Sequence, residues 1–166
     1  MPGWFMKGWC GSRRNSRSFP RNIHDGGILS RSSLPAPEIV AEQVPEARTL
    51  ARAVAEALNY VGVLTLEFFA TEQGPVFNEM APRVHNSGHW TIEGAVTSQF
   101  ENHVRAICGL PLGDTATRAR TVEMRNLIGD VARAAELLAD PAAHLHLYGK
   151  TEARQGRKMG HVTRLG

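Results

Sequence analysis

Cysteine is nearly absent: two residues in 166, Cys10 and Cys108. Two thiols so far apart exclude a disulfide framework and a four-ligand zinc site. No apolar run approaches the roughly 18 residues that a membrane-crossing helix needs. The amino-terminal stretch MPGWFMKGWCGSRRNSRSFP is broken by Gly, Pro, Arg and Ser, so a signal peptide's apolar core is missing. These absences lead us to expect a cytoplasmic protein with no membrane partner. Missing too are a Walker-type phosphate loop, a Ser-His-Asp order and a nucleophilic-cysteine motif. Acidic residues are scarce at the front: residues 1–31 hold six of the nineteen Lys and Arg but only one of the sixteen acids, Asp25. The remainder therefore holds 13 basic and 15 acidic residues, a formal −2 inside a net +3. A nucleic-acid-binding body would carry the opposite balance, so no nucleic-acid partner is expected.

What is present reads as one soluble core. The chain is 42% hydrophobic and 21% charged, with mean hydropathy −0.25, and its length suits one core rather than two. Residues 1–21 show neither helical nor strand periodicity and are expected to be a poorly ordered leader. NIHDGGILSRSSLPAP, residues 22–37, reads as a short strand or loop with a Gly pair and a Pro-bearing linker. A helix is predicted over 38–59, with Val44, Ala47, Leu50, Ala51, Val54 and Leu58 on its core face. VGVLTLEFFA (61–70) and PVFNEMA (75–81) read as a hairpin around TEQG. SQFE (98–101) is a capping box that opens a helix burying Phe100, Val104 and Ile107 and ending at Gly109. Downstream come a strand at 120–129, a short helix at 131–140, and a strand at 144–150. In that last strand His144, His146 and Tyr148 share one face. A basic, glycine-bearing turn at 154–162 leads into a final strand. Antiparallel hairpins and separated helices make the fold class α+β.

The chemistry concentrates in FNEMAPRVHNSGHW, residues 77–90. A three-residue loop Glu72-Gln73-Gly74 pairs Thr71 with Pro75, so Phe69 faces Phe77 and Glu67 faces Glu79. Like charges directly opposite on one sheet face repel, and a bridging cation removes the penalty. Carboxylate oxygens suit magnesium, with Asn78 a further oxygen ligand. The alternative is a shifted register with two solvent-facing glutamates. Arg83 suits a phosphoryl or carboxylate group gripped through two parallel hydrogen bonds, or else a surface pair with Glu93. His85 and His89 share a helical zinc spacing, but Pro82 and Asn86-Ser87-Gly88 make their segment a loop. His85 is better placed as a proton-handling residue of a small-molecule pocket, with His89 either beside it or holding the loop. Lys150, Arg157 and Lys158, with Gly156 and Gly160, form an anion-ready cluster, against the alternative of a solvated basic loop.

These residues carry a resemblance. NE-x-APR-x-HNSGHWT, followed by SQFE-x-H-x-RA-x-x-x-LPLG, NLIGD, HLHLYGK and GRKMGHV, resembles the 5-(carboxyamino)imidazole ribonucleotide synthase family of ATP-grasp enzymes. It spans residues 22–162, and NIHDGGIL (22–29) fits it too. The resemblance implies the carboxy-terminal half of an ATP-grasp domain (22–113) and a small β-rich subdomain (114–166). The family's lid and amino-terminal substrate domain are expected to have no counterpart in these residues. Residues 1–21 are expected to be foreign to the family, and Arg21 stands where an acid is expected. The implied activity is ATP- and bicarbonate-dependent carboxylation of 5-aminoimidazole ribonucleotide through carboxyphosphate, in purine (IMP) biosynthesis, with ATP and Mg2+ as cofactors. The resemblance implies catalytic roles for Arg83 and His85, and a magnesium and nucleotide site at Glu67, Asn78 and Glu79. It also implies substrate contacts from His85, Asn86, Ser87, Lys150 and Arg157, and an enzyme that can form homodimers. An inactive remnant that at most binds Mg-nucleotide or oligomerises is the rival reading. Another ATP-grasp carboxylase or formyl-phosphate transferase is the enzyme alternative. Exposed apolar hairpin edges and marginal stability are expected of the isolated chain.

Overall fold

In the computed structural model the described residues are 4–12, 15–17, 22–24, 31–34 and 38–166 without 130 and 133, with side chains described from residue 41 onward. Two antiparallel sheets organise them. The first has the order β2–β1–β5–β6, with β3 also paired to β1. Its strands are β1 (Trp4–Ser12), β2 (Asn15–Arg17), β3 (Asn22–His24), β5 (Gly62–Thr71) and β6 (Gly74–Ala81). The second has the order β4–β7–β9–β8. It uses β4 (Arg31–Leu34), β7 (Val122–Ile128), β8 (Ala143–Leu147) and β9 (Lys158–Leu165). The α+β class expected from the sequence is the class observed. Because β4 precedes the long helix yet pairs with β7, the second sheet draws on both sides of the expected boundary at 113/114.

The unstructured leader does not hold for the described stretches of 1–21. β1 and β2 are strands there, and β1 pairs along β5 with Lys7 opposite Glu67. Strand formation is decided by a long-range partner more than by local pattern, so WFMKGWCGS carried no readable alternation.

The first core lies between α1 (Glu38–Ala57) and β5. Val44, Ala47, Ala51 and Ala55 pack against Leu64, Leu66, Phe68 and Ala70. Small residues on the helix let it lie close to the bulkier strand. Leu50 and Leu58, expected on that face, are instead exposed. The Gln43 amide donates to the Thr71 carbonyl at 2.6 Å and ties the helix to the hairpin end. Among the described residues β6 ends the first sheet, and its Val76, Phe77 and Met80 are exposed, as expected of this hairpin.

A second core gathers Trp90, Ala95, Val122 and Met124. It joins the segment after the hairpin to β7, including the short helix α2 (Thr91–Gly94). α3 (Gln99–Ile107) begins with Ser98 accepting from the Glu101 N–H at 3.2 Å. The Glu101 carboxylate does not complete the box; it accepts from Arg105 instead. The expected burial of α3 is reversed. Phe100, Val104 and Ile107 are exposed, while Gln99, Asn102 and Ala106 are buried. The segment expected as a helix at 131–140 is a 3-10 turn over Ala134–Ala139.

Candidate functional site

The β5–β6 hairpin turns one residue earlier than expected. Thr71 pairs with Gly74, Phe69 with Val76 and Phe68 with Phe77. Gly74 takes φ +110, a conformation that L side chains rarely adopt and that permits the two-residue connection Glu72-Gln73. A bulge between Glu67 and Phe68 then inserts Asn78 as an extra residue and restores the register, so that Glu67 pairs with Glu79. The expected pairing of Phe69 with Phe77 is therefore wrong, and that of Glu67 with Glu79 is right. Two one-residue errors cancel at the carboxylates.

The bulge places Asn78 so that its amide donates to Glu67 Oε2 at 3.3 Å. Glu67 is 5% exposed, whereas Glu79 on β6 is exposed. A buried carboxylate is costly unless opposite charge and hydrogen bonds surround it. His85 lies across the pair, with Nδ1 3.7 Å from Glu67 Oε1 and Nε2 3.5 Å from Glu79 Oε1. Nδ1 accepts from the Ser87 N–H at 3.3 Å, so in the neutral ring the proton sits on Nε2, facing Glu79. Ligand atoms of Glu67, Glu79 and His85 all lie within 4.8 Å of one another. Two carboxylates converging from adjacent strands form a donor set that suits a hard divalent cation. The residues present fit magnesium.

What holds His85 there is Gln99, the first residue of α3. Its Oε1 accepts from the His85 N–H at 3.0 Å, and its Nε2 donates to the His85 carbonyl at 2.7 Å. The same Nε2 lies 2.8 Å from His89 Nδ1. Thr91 closes the loop, donating to the Gly88 carbonyl at 2.5 Å and accepting from the Gln99 N–H at 2.9 Å. Position 88 has no room for a side chain, because a Cβ there would collide with the Gln99 amide. Sequence reading finds in SQFE only a helix start. The signal for Gln99 is a buried-facing amide beside a cap, which is invisible without knowing which helix face turns inward.

The exit loop meets the second sheet at Asn86. Its amide donates to Asn126 Oδ1 at 2.6 Å and lies 3.4 Å from the Tyr148 hydroxyl, while its Oδ1 accepts from Lys158 Nζ at 3.2 Å. Lys150 donates to the Lys158 carbonyl at 2.5 Å and sits 5.4 Å over the Tyr148 ring. Two halves of the candidate site, 72 residues apart in sequence at Asn86 and Lys158, are thus brought together. Arg157 donates to the Glu152 carbonyl at 3.1 Å on the turn before β9. Arg83 is exposed and donates to the Val84 carbonyl at 3.0 Å. Its expected alternative partner, Glu93, is engaged by His146 at 2.6 Å. Ser87 is buried behind His85. His85 and His89 point at different partners, so their four-residue spacing defines no shared ligand pair.

A row of polar residues crosses the second sheet beneath Asn86. Asn126, His161 and His146 are directly opposite one another on β7, β9 and β8. The His146 and His161 rings stack at 4.6 Å and 11°. Burial lowers the His161 pKa to about 3, helped by the neighbouring His146 and His89. Burial also lowers His89 to about 4, with Lys158, His146 and Arg83 adding to the effect. Burial raises the Tyr148 phenol, opposed by its bond with Asn86. The sequence placed His146 and Tyr148 on one face; it carried no sign that His161 and Asn126 join them.

A carboxylate pair on a bulged hairpin offers oxygen ligands to a divalent cation, and Lys158 and Lys150 beside it offer ammonium groups to an anion. Residues 12–100 match the ATP-grasp domain family, and the chain belongs to it. Residues 123–166 match the phosphoribosylaminoimidazole carboxylase C-terminal domain. The chain is similar to the N5-carboxyaminoimidazole ribonucleotide synthase of Vibrio parahaemolyticus, 53% identical over 146 residues, covering 87% of this chain and 37% of that protein. The Escherichia coli enzyme of the same name is 48% identical over 141 residues, 85% of this chain and 39% of that one. Among solved structures, the synthetase from Thermus thermophilus superposes with a TM-score of 0.86 at 50% identity, covering 99% of this chain and 46% of its own. The Aspergillus clavatus synthase, in complex with ADP and 5-aminoimidazole ribonucleotide, gives 0.85 at 34% identity, covering 99% and 47%. The chain spans about two-fifths of the length of the curated relatives it matches.

Proposed function

We propose that this chain supplies the metal–phosphate and ribonucleotide face of an ATP-dependent ligase. That ligase carboxylates 5-aminoimidazole ribonucleotide with bicarbonate in purine biosynthesis, in the cytoplasm. The observation that carries the reading is the joining of the Glu67–Glu79–His85 cluster to the Asn86–Lys158–Lys150 cluster within one surface. No described helix is long and apolar enough to cross a membrane.

Glu67 and Glu79, with Asn78 beside them, would hold Mg2+. When bound, the ion neutralises charge on the β- and γ-phosphates of ATP during phosphoryl transfer. In the proposed reaction a bicarbonate oxygen bonds to the γ-phosphorus as the bond to ADP breaks, giving carboxyphosphate. Carboxyphosphate releases CO2 and phosphate, and the exocyclic amine of the ribonucleotide bonds to the CO2 carbon and gives up a proton. Arg83 supplies a guanidinium for the carboxylate or phosphoryl group. His85, fixed by Gln99 and Ser87, presents an oriented imidazole to the bicarbonate and amine groups. Asn86, Ser87, Lys150 and Arg157 bind the ribonucleotide, with the two cations at its phosphate. Positioning and charge neutralisation, rather than a covalent nucleophile, are what this chemistry requires. Homodimerisation is the assembly that accompanies the reading.

The test is ADP release by the purified chain with MgATP and bicarbonate, with and without 5-aminoimidazole ribonucleotide. It is run alone and with the complementary amino-terminal portion of a relative added, against Glu79→Ala. Ribonucleotide-dependent turnover that Glu79→Ala removes is expected when that portion is present. No turnover under either condition, with Mg-nucleotide binding retained, would replace the ligase reading by that of a nucleotide-binding remnant.

A further inference from the structure

Beneath the candidate site lies a group of ligand atoms that the ligase reading does not use. Glu93 on α2, His146 on β8 and His161 on β9 each offer one ligand atom, all within 4.8 Å of one another. The three come from separate elements and meet because His146 and His161 are directly opposite in the β8–β9 register. Two of their atoms are buried with no hydrogen-bond partner among the described residues: His161 Nε2 and Glu93 Oε2. His161 itself is 1% exposed. An unsatisfied buried polar atom is destabilising, and here two sit in one small cluster. They do not bond each other, yet they belong to side chains close enough to share a cation.

The surroundings prepare the ligands. His161 Nδ1 is 2.8 Å from the Tyr148 hydroxyl. With Nδ1–H donating to the phenol oxygen, the Nε2 lone pair is left bare, the form in which an imidazole binds metal. A ligating histidine normally fixes its tautomer through its other nitrogen in this way. His146 Nε2 meets Glu93 Oε1 at 2.6 Å, which keeps both side chains turned into the cluster. Two imidazole nitrogens and one carboxylate oxygen are the donor set of borderline ions such as Zn2+, with a fourth position left for water. Mg2+, which prefers an all-oxygen shell, is matched by Glu67 and Glu79 and not by this set.

We propose that Glu93, His146 and His161 form a second divalent-metal site, selective for Zn2+-like ions over Mg2+. It clamps α2 to β8 and β9 and, through Tyr148, steadies the Asn86 platform. The site is independent of the ligase reading and stands or falls on metal binding alone.

The experiment is a titration of the purified chain with Co2+ as a spectroscopic stand-in for Zn2+, in excess Mg2+ so that the carboxylate hairpin is occupied. Intense visible d–d absorption of low-coordinate Co2+ is expected, saturating at about one equivalent per chain and bleached by Zn2+. Glu79→Ala is expected to keep the signal. Glu93→Gln and His146→Gln are expected to remove it, with melting temperatures in chelator close to wild type as proof of folding. Tyr148→Phe, which removes the outer-shell partner of His161, is expected to weaken Co2+ binding about tenfold. Only the weak absorption of hydrated Co2+ in the wild-type chain would overturn the proposal. So would a signal that survives both Glu93→Gln and His146→Gln, or one lost in Glu79→Ala alone.

Discussion

α1 and α3 are both amphipathic, yet they turn opposite faces to the protein. α1 buries Val44, Ala47, Ala51 and Ala55 against β5 and leaves charged residues outside. α3 buries Gln99 and Asn102 and leaves Phe100, Val104 and Ile107 exposed. α1 is held by removal of apolar surface from water, which needs no particular partner atom. α3 is held by directional bonds: Gln99 spans the His85 backbone, and Asn102 accepts from the Gly113 N–H at 2.8 Å. A polar face turns inward when each of its groups has a partner waiting, because the cost of an unmade buried bond exceeds that of leaving some aliphatic surface wet.

The strongest way to break this comparison is to exchange the two logics. Ala51→Gln would bury an amide with nothing to bond. Gln99→Leu would remove the amide that bonds the His85 N–H and carbonyl, the carbonyl keeping its bond from the Gly88 N–H at 2.9 Å. Both are expected to cost about 2–5 kcal/mol in urea unfolding. If Gln99→Leu stabilised the chain, the directional account of α3 would be wrong. Gly88→Ala presses a methyl into the Gln99 amide and should cost about 1–3 kcal/mol, with bicarbonate and ribonucleotide binding at the proposed site weakened in parallel because His85 moves.

Protonation gives a third measure. His161 and His89, held near 3 and 4 against 6.5 for a free imidazole, are neutral in the folded chain. Below pH 6.5 the unfolded chain binds protons that the folded chain refuses, so stability is full above that value and falls as pH falls toward 4 and 3. The groups around this pair are Glu93, His146, Tyr148, Lys158 and Arg83. Thermal melts in chelator should therefore decline steadily between neutrality and mild acid. A flat profile would mean that the row is not buried as described. The smallest effect sharpens the comparison from the solvent side: Val104→Lys, on the exposed stripe of α3, should shift stability by no more than about 0.5 kcal/mol. A loss several times larger would show that this stripe is covered.

Much of the hairpin site was legible because its chemistry is local. Glu67, Asn78, Glu79, Arg83 and His85 lie on one hairpin and its exit loop, and alternation along two strands places both carboxylates on one face. The loop and the bulge were not legible. A one-residue slip at Gly74 and a one-residue insertion at Asn78 leave the same residues opposite at Glu67 and Glu79. Apolar periodicity found α1 but mistook Leu50 and Leu58 for core, since it registers a stripe without its edges. It misread α3 altogether, because hydrophobicity carries no information about a partner such as Gly113 or the His85 backbone.

The sequence by itself determined the α+β class, the hairpin that carries the carboxylates, the start and stop of α3, and the family. Each depends on neighbours a few residues apart or on a contiguous phrase. Only the tertiary structure decided that β1 lines β5, that Gln99 holds His85, and that Lys158 and Tyr148 reach Asn86. It alone stacked His146 on His161 beside Glu93. The side-chain bonds among these join residues 14 to 72 positions apart, and the backbone pairing and buried bonds that select them exist only once the chain has closed.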